Sequence, residues 1–273
     1  MNIVVPIKQV PETSNVKMDP EKGTMIRAGV ESVINPLDLY AIESALRLRE
    51  EHGGVVTAIT MGPPPAATAL RQAIAMGCDE GILVSDRKFG GADTWATSYT
   101  LAEAIRKLGA ETGSERGAVD LVIAGERATD GDTAQVGPGI AAWLDLPLAT
   151  YVAHITDVAD GTMTVERLVE EGYQILSIPF PALITVVKES AAPRLPTLSG
   201  KKRSISQEIP VFSTENMDLD AASLGLKGSP TKVVKIATPK VTRGGELVTA
   251  GTEDEVVSAV DRLMAFLEEK DLV

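Results

Sequence analysis

The chain is poor in the residues that make covalent staples and soft metal sites. It has one cysteine, Cys78, and two histidines, His52 and His154, in 273 residues. A single thiol cannot form an internal disulfide, which agrees with a reducing compartment, and the expected location is cytoplasmic. Cys78 reads as a small buried thiol in a helix-to-strand turn, and the two histidines stand apart with no triad-like setting around them. Acidic residues outnumber basic ones 38 to 26, for a net charge of −12, which argues against a nucleic-acid surface. No apolar run approaches the roughly 18 residues needed to span a membrane. Met1 to Pro6 lacks the charged region and long apolar core of a signal peptide and reads better as a first strand. Aromatic residues make up only 4% of the chain, and Trp95 and Trp143 are read as packing residues. The 44% apolar content and mean hydropathy of +0.08 are those of a soluble globular chain. Its length allows one large α/β domain, or such a domain with an appended arm.

Residues 125–136, Gly-Glu-Arg-Ala-Thr-Asp-Gly-Asp-Thr-Ala-Gln-Val, carry the most information. They follow an apolar run, Asp120 to Ala124, that reads as a buried parallel strand. They precede Val136, Ile140, Ala141 and Leu144, an apolar stripe at helical spacing. The stretch is therefore a loop at the carboxyl end of a strand, entering a helix N-terminus, where open α/β sheets bind ligands. Pro138 must lie in the first helical turn, so the helix should begin between Thr133 and Gly137. No lysine follows a glycine here, which separates this loop from the phosphate loop of nucleotide triphosphatases. Asp130, Asp132, Thr133 and Gln135 are polar handles for a ribose or phosphate, or caps for the helix. A metal is not expected, because only Glu126 lies near the two aspartates and no His or Cys does.

The remaining pattern places this loop in a fold. Met1 to Ile7, Val55 to Met61 and Glu80 to Ser85 read as strands that alternate with helices. Those helices begin after Asn35-Pro36, at Ala66 and near Thr94. Asn35 is a candidate N-cap with Pro36 at the first helical position. The turn-rich stretch from Pro11 to Gly29 reads as a hairpin or loop. Gly90-Gly91-Ala92-Asp93-Thr94 is a second glycine-rich entry into a helix, suited to a diphosphate. After Thr150, four strands follow without helices: 151–158, 162–168, 173–178 and 182–187. Some of them must pair antiparallel. From Glu189 no period appears until an amphipathic helix at 253–267. The expected architecture is a doubly wound, mostly parallel α/β sheet over residues 1–188, of the adenine-nucleotide-binding type. Residues 189–273 then form a C-terminal extended arm and helix that dock on a partner.

Two separated motifs resemble the β subunit of electron-transfer flavoproteins. One is the loop at 125–136. The other is Val165-Glu-Arg167-Leu-Val-Glu170-Glu171-Gly172-Tyr-Gln174-Ile-Leu176 followed by Pro181-Ala-Leu183-Ile184-Thr185. Val5-Pro-Ile-Lys8-Gln-Val-Pro11, Asn35-Pro36-Leu37-Asp38, Thr60-Met61-Gly62-Pro63 and Ala75-Met76-Gly77 agree with them. The resemblance runs from residue 1 to about 245.

It implies a nucleotide wrapped by Gly125, Glu126, Arg127, Ala128, Thr129, Asp130, Gly131, Asp132, Thr133, Ala134, Gln135 and Val136. Asn35, Pro36, Leu37 and Asp38 would border it, with Pro6 and Met61 against the adenine. The wording at Asp93, Thr94 and Thr97 resembles the electron-bifurcating branch, which holds FAD where the simpler branch holds AMP. By that resemblance NADH is the donor. The partners are the electron-transfer flavoprotein α subunit, a ferredoxin or flavodoxin, and an acyl-CoA dehydrogenase docking at residues 193–203, with Leu195 as the apolar anchor. No catalytic side chain and no metal is expected of this chain, since the flavin performs the chemistry. The alternatives are a non-bifurcating subunit holding AMP, or a stand-alone nucleotide-binding or hydrolysing module on the same fold.

Overall fold

The structure is a computed structural model that describes residues 1–12, 32–111, 118–234 and 247–273. β1 (Asn2–Pro6) leads into a short antiparallel pair, β2 (Gln9–Pro11) and β3 (Ser32–Ile34). The hairpin expected between them lies outside the described residues. Strand and helix then alternate through α1 (Pro36–His52), β4 (Val55–Met61), α2 (Ala67–Met76), β5 (Glu80–Val84), α3 (Thr94–Glu111), β6 (Leu121–Gly125) and α4 (Val136–Leu144). A meander follows, β7 (Leu148–Ala159), β8 (Thr162–Val169) and β9 (Gly172–Pro179), and then β10 (Ala182–Val186). The chain continues through α5 (Leu198–Ser206), β11 (Val211–Phe212) and α6 (Gly225–Gly228) to α7 (Glu253–Glu269).

Among the described residues, nine strands form one sheet in the order β11-β5-β4-β1-β6-β10-β7-β8-β9. All neighbours pair parallel except β7 with β8 and β8 with β9. The central strands are apolar at nearly every position because helices cover both faces. Ile3, Val5, Leu121, Ile123, Ala182 and Ile184 face the layer of α1 and α2. Val4, Val122 and Leu183 face the layer of α3 and α4. The doubly wound, mostly parallel sheet is therefore present, and the four late strands contain the expected antiparallel pairs. The order of those four is less direct than the chain suggests, for β10 inserts between β6 and β7. Its register with β7 shifts between Ile184 and Val186. Tyr151 sits there at φ +57° and donates its N–H to the Thr185 hydroxyl.

The first compact unit runs from Met1 to Val234, past the boundary expected at 188, and the second from Lys235 to Val273. Residues 189–234 fold back onto the sheet. The backbones of α5 and α2 meet so closely that a Cβ on Gly200 would stand 2.2 Å from the Ala75 carbonyl oxygen. Arg203, at the end of the stretch expected to dock the dehydrogenase, donates to the carbonyls of Ile74 and Cys78 at 3.0 and 2.6 Å. β11 adds an edge strand beside β5, and its Phe212 is buried. Leu195 is exposed to solvent, as are Leu198 and Ile205 of α5. Cys78 is buried as expected, and burial pushes its thiol up to about 12. The ring centroids of Trp95 and Trp143 lie 4.8 Å apart. In the second unit, α7 opens on a capping box formed by Thr252 and Glu255, and Val256, Val260, Leu263 and Met264 are exposed.

Arg194 fastens the start of the returning segment to α1. Its amide and guanidinium donate to the Glu43 carboxylate at 2.8–3.1 Å, and the guanidinium also reaches Glu50. Burial raises the Glu43 carboxyl, but the bonds from Arg194 and Arg47 outweigh it and hold the group below the usual carboxylate range. A lowered carboxylate stabilises the fold above its unfolded value, and that stability is lost as pH falls through the folded one. Arg194→Ala should therefore cost about 1.5–3 kcal/mol near neutral pH, the range for hydrogen bonds to a charged group. Urea denaturation at several pH values should show that difference shrinking below about pH 4, as Glu43 is protonated in both states.

Candidate functional site

β4, β1, β6 and β10 all end on one edge of the sheet, at Met61, Pro6, Gly125 and Val186. From β1 the chain winds outward through β4 and β5, then crosses back by α3 to β6 on the other side of β1. That reversal opens a crevice at the carboxyl ends of β1 and β6, the usual ligand position of an open α/β sheet. Pro6 is buried at the last position of β1, where its missing N–H costs little. The ladder resumes with Ile7 N–H donating to Ile59.

Asn35 and the 125–136 loop meet in this crevice. Asn35 is fully buried and occupies the N-cap position of α1 as expected, with Pro36 opening the helix, but its side chain makes no cap bond to the helix backbone. Its Nδ2 donates to Asp38 Oδ1 and to the Arg127 carbonyl, both at 2.9 Å, and its Oδ1 accepts the Thr129 N–H at 3.1 Å. Asp38 Oδ2 accepts the Lys8 N–H at 2.7 Å. A Cβ on Gly125 would lie 2.4 Å from Asp38 Oδ1 and 2.9 Å from the Leu37 carbonyl carbon, so glycine is what lets α1 approach the end of β6. Burial raises the Asp38 carboxyl from 3.8 to about 7, against the opposing pull of Asn35 and Lys8.

The loop's charged residues are partly engaged with each other. Lys8 Nζ meets Asp130 at 2.6 Å, and Arg127 lies 3.2 Å from Asp132 and 3.3 Å from Glu126. Burial raises the Glu126 carboxyl, opposed by Arg127. Lys8 was only part of a motif in the sequence, and the structure makes it the cation that ties the exit of β1 to the loop. The one signal for it was its position two residues past a strand end.

Ala134 has φ +54°, and Gln135 follows in the right-handed region at φ −103°, ψ −21°. Successive residues of opposite hand aim neighbouring N–H groups to one side, forming an anion-binding concavity. α4 begins at Val136, within the expected range, and adds the unpaired amides and positive end of a helix N-terminus. Thr133 and Gly131 are exposed, and a Cβ on Gly131 would meet nothing within 4 Å. The residues present thus fit a nucleotide phosphate held by backbone amides.

The second glycine-rich entry stands alongside. Thr94 Oγ1 donates to Gln135 Oε1 at 2.9 Å, and α3 packs so tightly on α4 that a Cβ on Gly139 would lie 2.5 Å from Ser98 Oγ. Thr97 is half-buried one turn on, its N–H donating to the Asp93 carbonyl. The Asp93 side chain is not free for a ligand. Its Oδ1 caps α3, accepting from the amides of Trp95 and Ala96, and its Oδ2 accepts from Thr231. Among the described residues no group of three or more His, Cys, Asp or Glu is placed to hold a metal ion. No helix among them is long and apolar enough to cross a membrane.

Comparison with known proteins fixes what family this crevice serves. Residues 22–215 match the family model described as the electron transfer flavoprotein domain. The chain is 46% identical over 264 residues to the electron transfer flavoprotein subunit beta of Thermoanaerobacterium thermosaccharolyticum, covering 96% of this chain and 98% of the relative. It is 44% identical over 274 residues to the caffeyl-CoA reductase-Etf complex subunit CarD of Acetobacterium woodii, with both chains covered in full. The acryloyl-CoA reductase electron transfer subunit gamma of Anaerotignum propionicum is 43% identical over 270 residues, 97% of this chain and 98% of that one. The chain belongs to the electron-transfer flavoprotein family. Within that family it aligns end to end with β subunits, and the matched segment contains α1, both glycine-rich loops and the meander.

In this electron-transfer flavoprotein chain, Asn35→Ala removes three hydrogen bonds at once and leaves Asp38 buried with fewer donors. The expected loss is about 1–3 kcal/mol, with faster amide exchange across 125–136 as the local readout. Asp38 gives a pH signature of the opposite sign to Glu43. A raised carboxyl contributes its stability fully below about 3.8 and loses it as pH rises toward about 7. The nucleotide-free fold should therefore weaken over that window, and Asp38→Asn should flatten the slope in thermal melts.

Proposed function

We propose that this β subunit holds FAD in the crevice between β1 and β6. There it takes electrons from NADH and divides them between a low-potential ferredoxin or flavodoxin and the FAD of an α subunit that serves an acyl-CoA dehydrogenase. The carrying observation is the junction of two cradles through Thr94 and Gln135. One phosphate, as in AMP, needs only the nest at Ala134–Gln135 and the α4 N-terminus. A diphosphate needs a second set of donors, for which the Gln135 side-chain amide held by Thr94 and the Thr97 hydroxyl are the candidates. Relatives named as subunits of caffeyl-CoA and acryloyl-CoA reductases support an acyl-CoA partner.

The chain's own residues bind and orient. Asn35, Asp38 and Gly125 fix the floor, Met61 and Pro6 offer an apolar wall for an adenine, and the loop amides neutralise phosphate charge. A bound flavin supplies the chemistry of accepting an electron pair from a nicotinamide and releasing electrons one at a time. No general base or nucleophile is then required of the protein. The apolar face of α7 and the exposed Leu195 are the surfaces assigned to the α subunit and to the dehydrogenase, and the expected compartment is the cytoplasm.

Denaturing release and chromatography of nucleotides from the complex with its α subunit tests this directly. Two FAD per heterodimer are expected. One FAD with one AMP would make the chain a simple carrier without NADH oxidation. Hydrolysis of ATP by the isolated chain would point to a stand-alone module. Thr94→Val releases the Gln135 side chain from its anchor and should weaken FAD retention by up to about tenfold, the loss of one hydrogen bond's worth of stabilisation, in equilibrium dialysis where AMP retention stays unchanged.

A further inference from the structure

The crevice carries a cation whose backbone is fixed and whose side chain is not. Lys8 lies two residues beyond β1, and the start of α1 clamps its backbone on both sides. Its N–H donates to Asp38 Oδ2 at 2.7 Å, and its carbonyl accepts the Asn35 N–H at 2.8 Å. Both partners are buried. The side chain alone is left to move, and its Nζ reaches Asp130 Oδ1 at 2.6 Å. β1 and β6 flank the crevice, so an ion pair from the exit of one to the loop of the other spans its opening.

Asp130 sits where the loop is held least. Upstream, Asn35 grips the loop through the Arg127 carbonyl and the Thr129 N–H. Downstream, Thr94 holds Gln135. Between these anchors residues 130–133 are exposed, and a Cβ on Gly131 would meet nothing within 4 Å. The turn closes on itself: the amides of Gly131 and Asp132 donate to the Ala128 carbonyl, and Arg127 pairs with Asp132. The tie to Lys8 differs in kind, because it joins the turn to another strand. The Lys8 side chain is 49% exposed and that of Asp130 25%. Water can therefore replace either partner, and half-solvated pairs of this sort are held only weakly. A contact that defines a closed state and still breaks readily is what a gate requires.

We infer that the Lys8–Asp130 ion pair is a gate over the crevice, and that its opening limits the entry and release of an adenine nucleotide. Closed, the pair draws the 128–132 turn toward the exit of β1. Open, it lets the turn lift between its anchors at Thr129 and Gln135, while Asn35, Asp38 and Gly125 keep the floor in place. The gate acts on the barrier and leaves the floor contacts alone. Uptake and release therefore change together, and affinity changes less than either rate. This rests on the reading that the crevice holds an adenine nucleotide, FAD or AMP alike.

Exchange of the bound nucleotide reads the gate directly. The intact complex with its α subunit is placed in excess isotopically labelled FAD and AMP, and replacement is followed by mass, with the α-subunit flavin as internal reference. Asp130→Asn and Lys8→Met should each speed exchange of the β-subunit nucleotide about two- to fivefold, the range for an exposed ion pair. The Lys8→Met/Asp130→Asn double variant should go no further than either single one. The charge-swapped Lys8→Glu/Asp130→Lys variant should return toward the parent. The gap between parent and single variants should close as salt rises to about 1 M, where the Debye length falls to about 3 Å. A merely structural loosening of the loop would leave that gap in place at high salt and overturn the gate. Parental exchange in both single variants would overturn it as well. So would slower release in Asp130→Asn, since the freed Lys8 would then be gripping the phosphate. A complex whose β subunit carries neither FAD nor AMP would remove the reading of the crevice, and the gate with it.

Discussion

A buried amide with three hydrogen-bond partners holds the crevice together. Asn35 joins the start of α1 to Asp38 and to the backbone at Arg127 and Thr129. Leaving such a group unsatisfied in the interior costs as much as the bonds provide, so the loop and the helix are fixed as one piece. Everything functional is measured from that junction. Gly125 allows the approach, Lys8 pairs with Asp130 on the open side, and the loop then turns through two left-handed residues, Asp132 and Ala134, before entering α4. Non-glycine residues held at positive φ cost roughly 1 kcal/mol or more each and persist where surrounding structure over-determines them. The Asn35 junction supplies that determination at the loop's other end.

The electrostatic design follows from the same geometry. A protein with a net charge of −12 cannot attract phosphates by bulk field. It can hold them with amides, because a helix N-terminus and a nest of N–H groups present fixed partial charges that need no counterion. Lys8 and Arg127 at the crevice are each paired with carboxylates of the loop. Their effect is to shape the loop, which on the proposed reading leaves the phosphate charge to the backbone. Asp38, raised to about 7 by burial, adds little negative charge beneath the site until the solution is near neutral.

The parts of this arrangement legible in the sequence are those set by local pattern. Strands buried on both faces announce themselves as apolar runs, and Pro138 pins the first turn of α4 because proline tolerates only that position. Features set by distant pairing were not legible. The insertion of β10 between β6 and β7 depends on which edge is open, which no local period encodes. Asn35 was legible as the N-cap of α1 because Asn favours that position, but two of its three side-chain partners lie 92 and 94 residues away. The return of residues 189–234 was hidden for a different reason. α5 is anchored by Arg203 and a close glycine contact while its Leu198 and Ile205 point outward, and β11 is two residues long. A helix held by polar bonds and carrying its apolar residues outside inverts the pattern by which amphipathic helices are found.

The two compact units differ in what stabilises them. The first has a continuous core on both faces of its sheet. The described helix of the second, 17 residues long, has a complete capping box and no buried residue. An isolated helix of that length is marginal in water even when well capped, and most helical stability in proteins comes from covering an apolar face. The order of α7 is therefore tied to whatever surface receives Val256, Val260, Leu263 and Met264. In the first unit, Asp93 caps α3 and accepts from Thr231 at the same time. A carboxylate that caps a helix could have been replaced by a serine or threonine with little loss. One that must also accept two bonds from Thr231 could not, since a hydroxyl lacks the second acceptor arm.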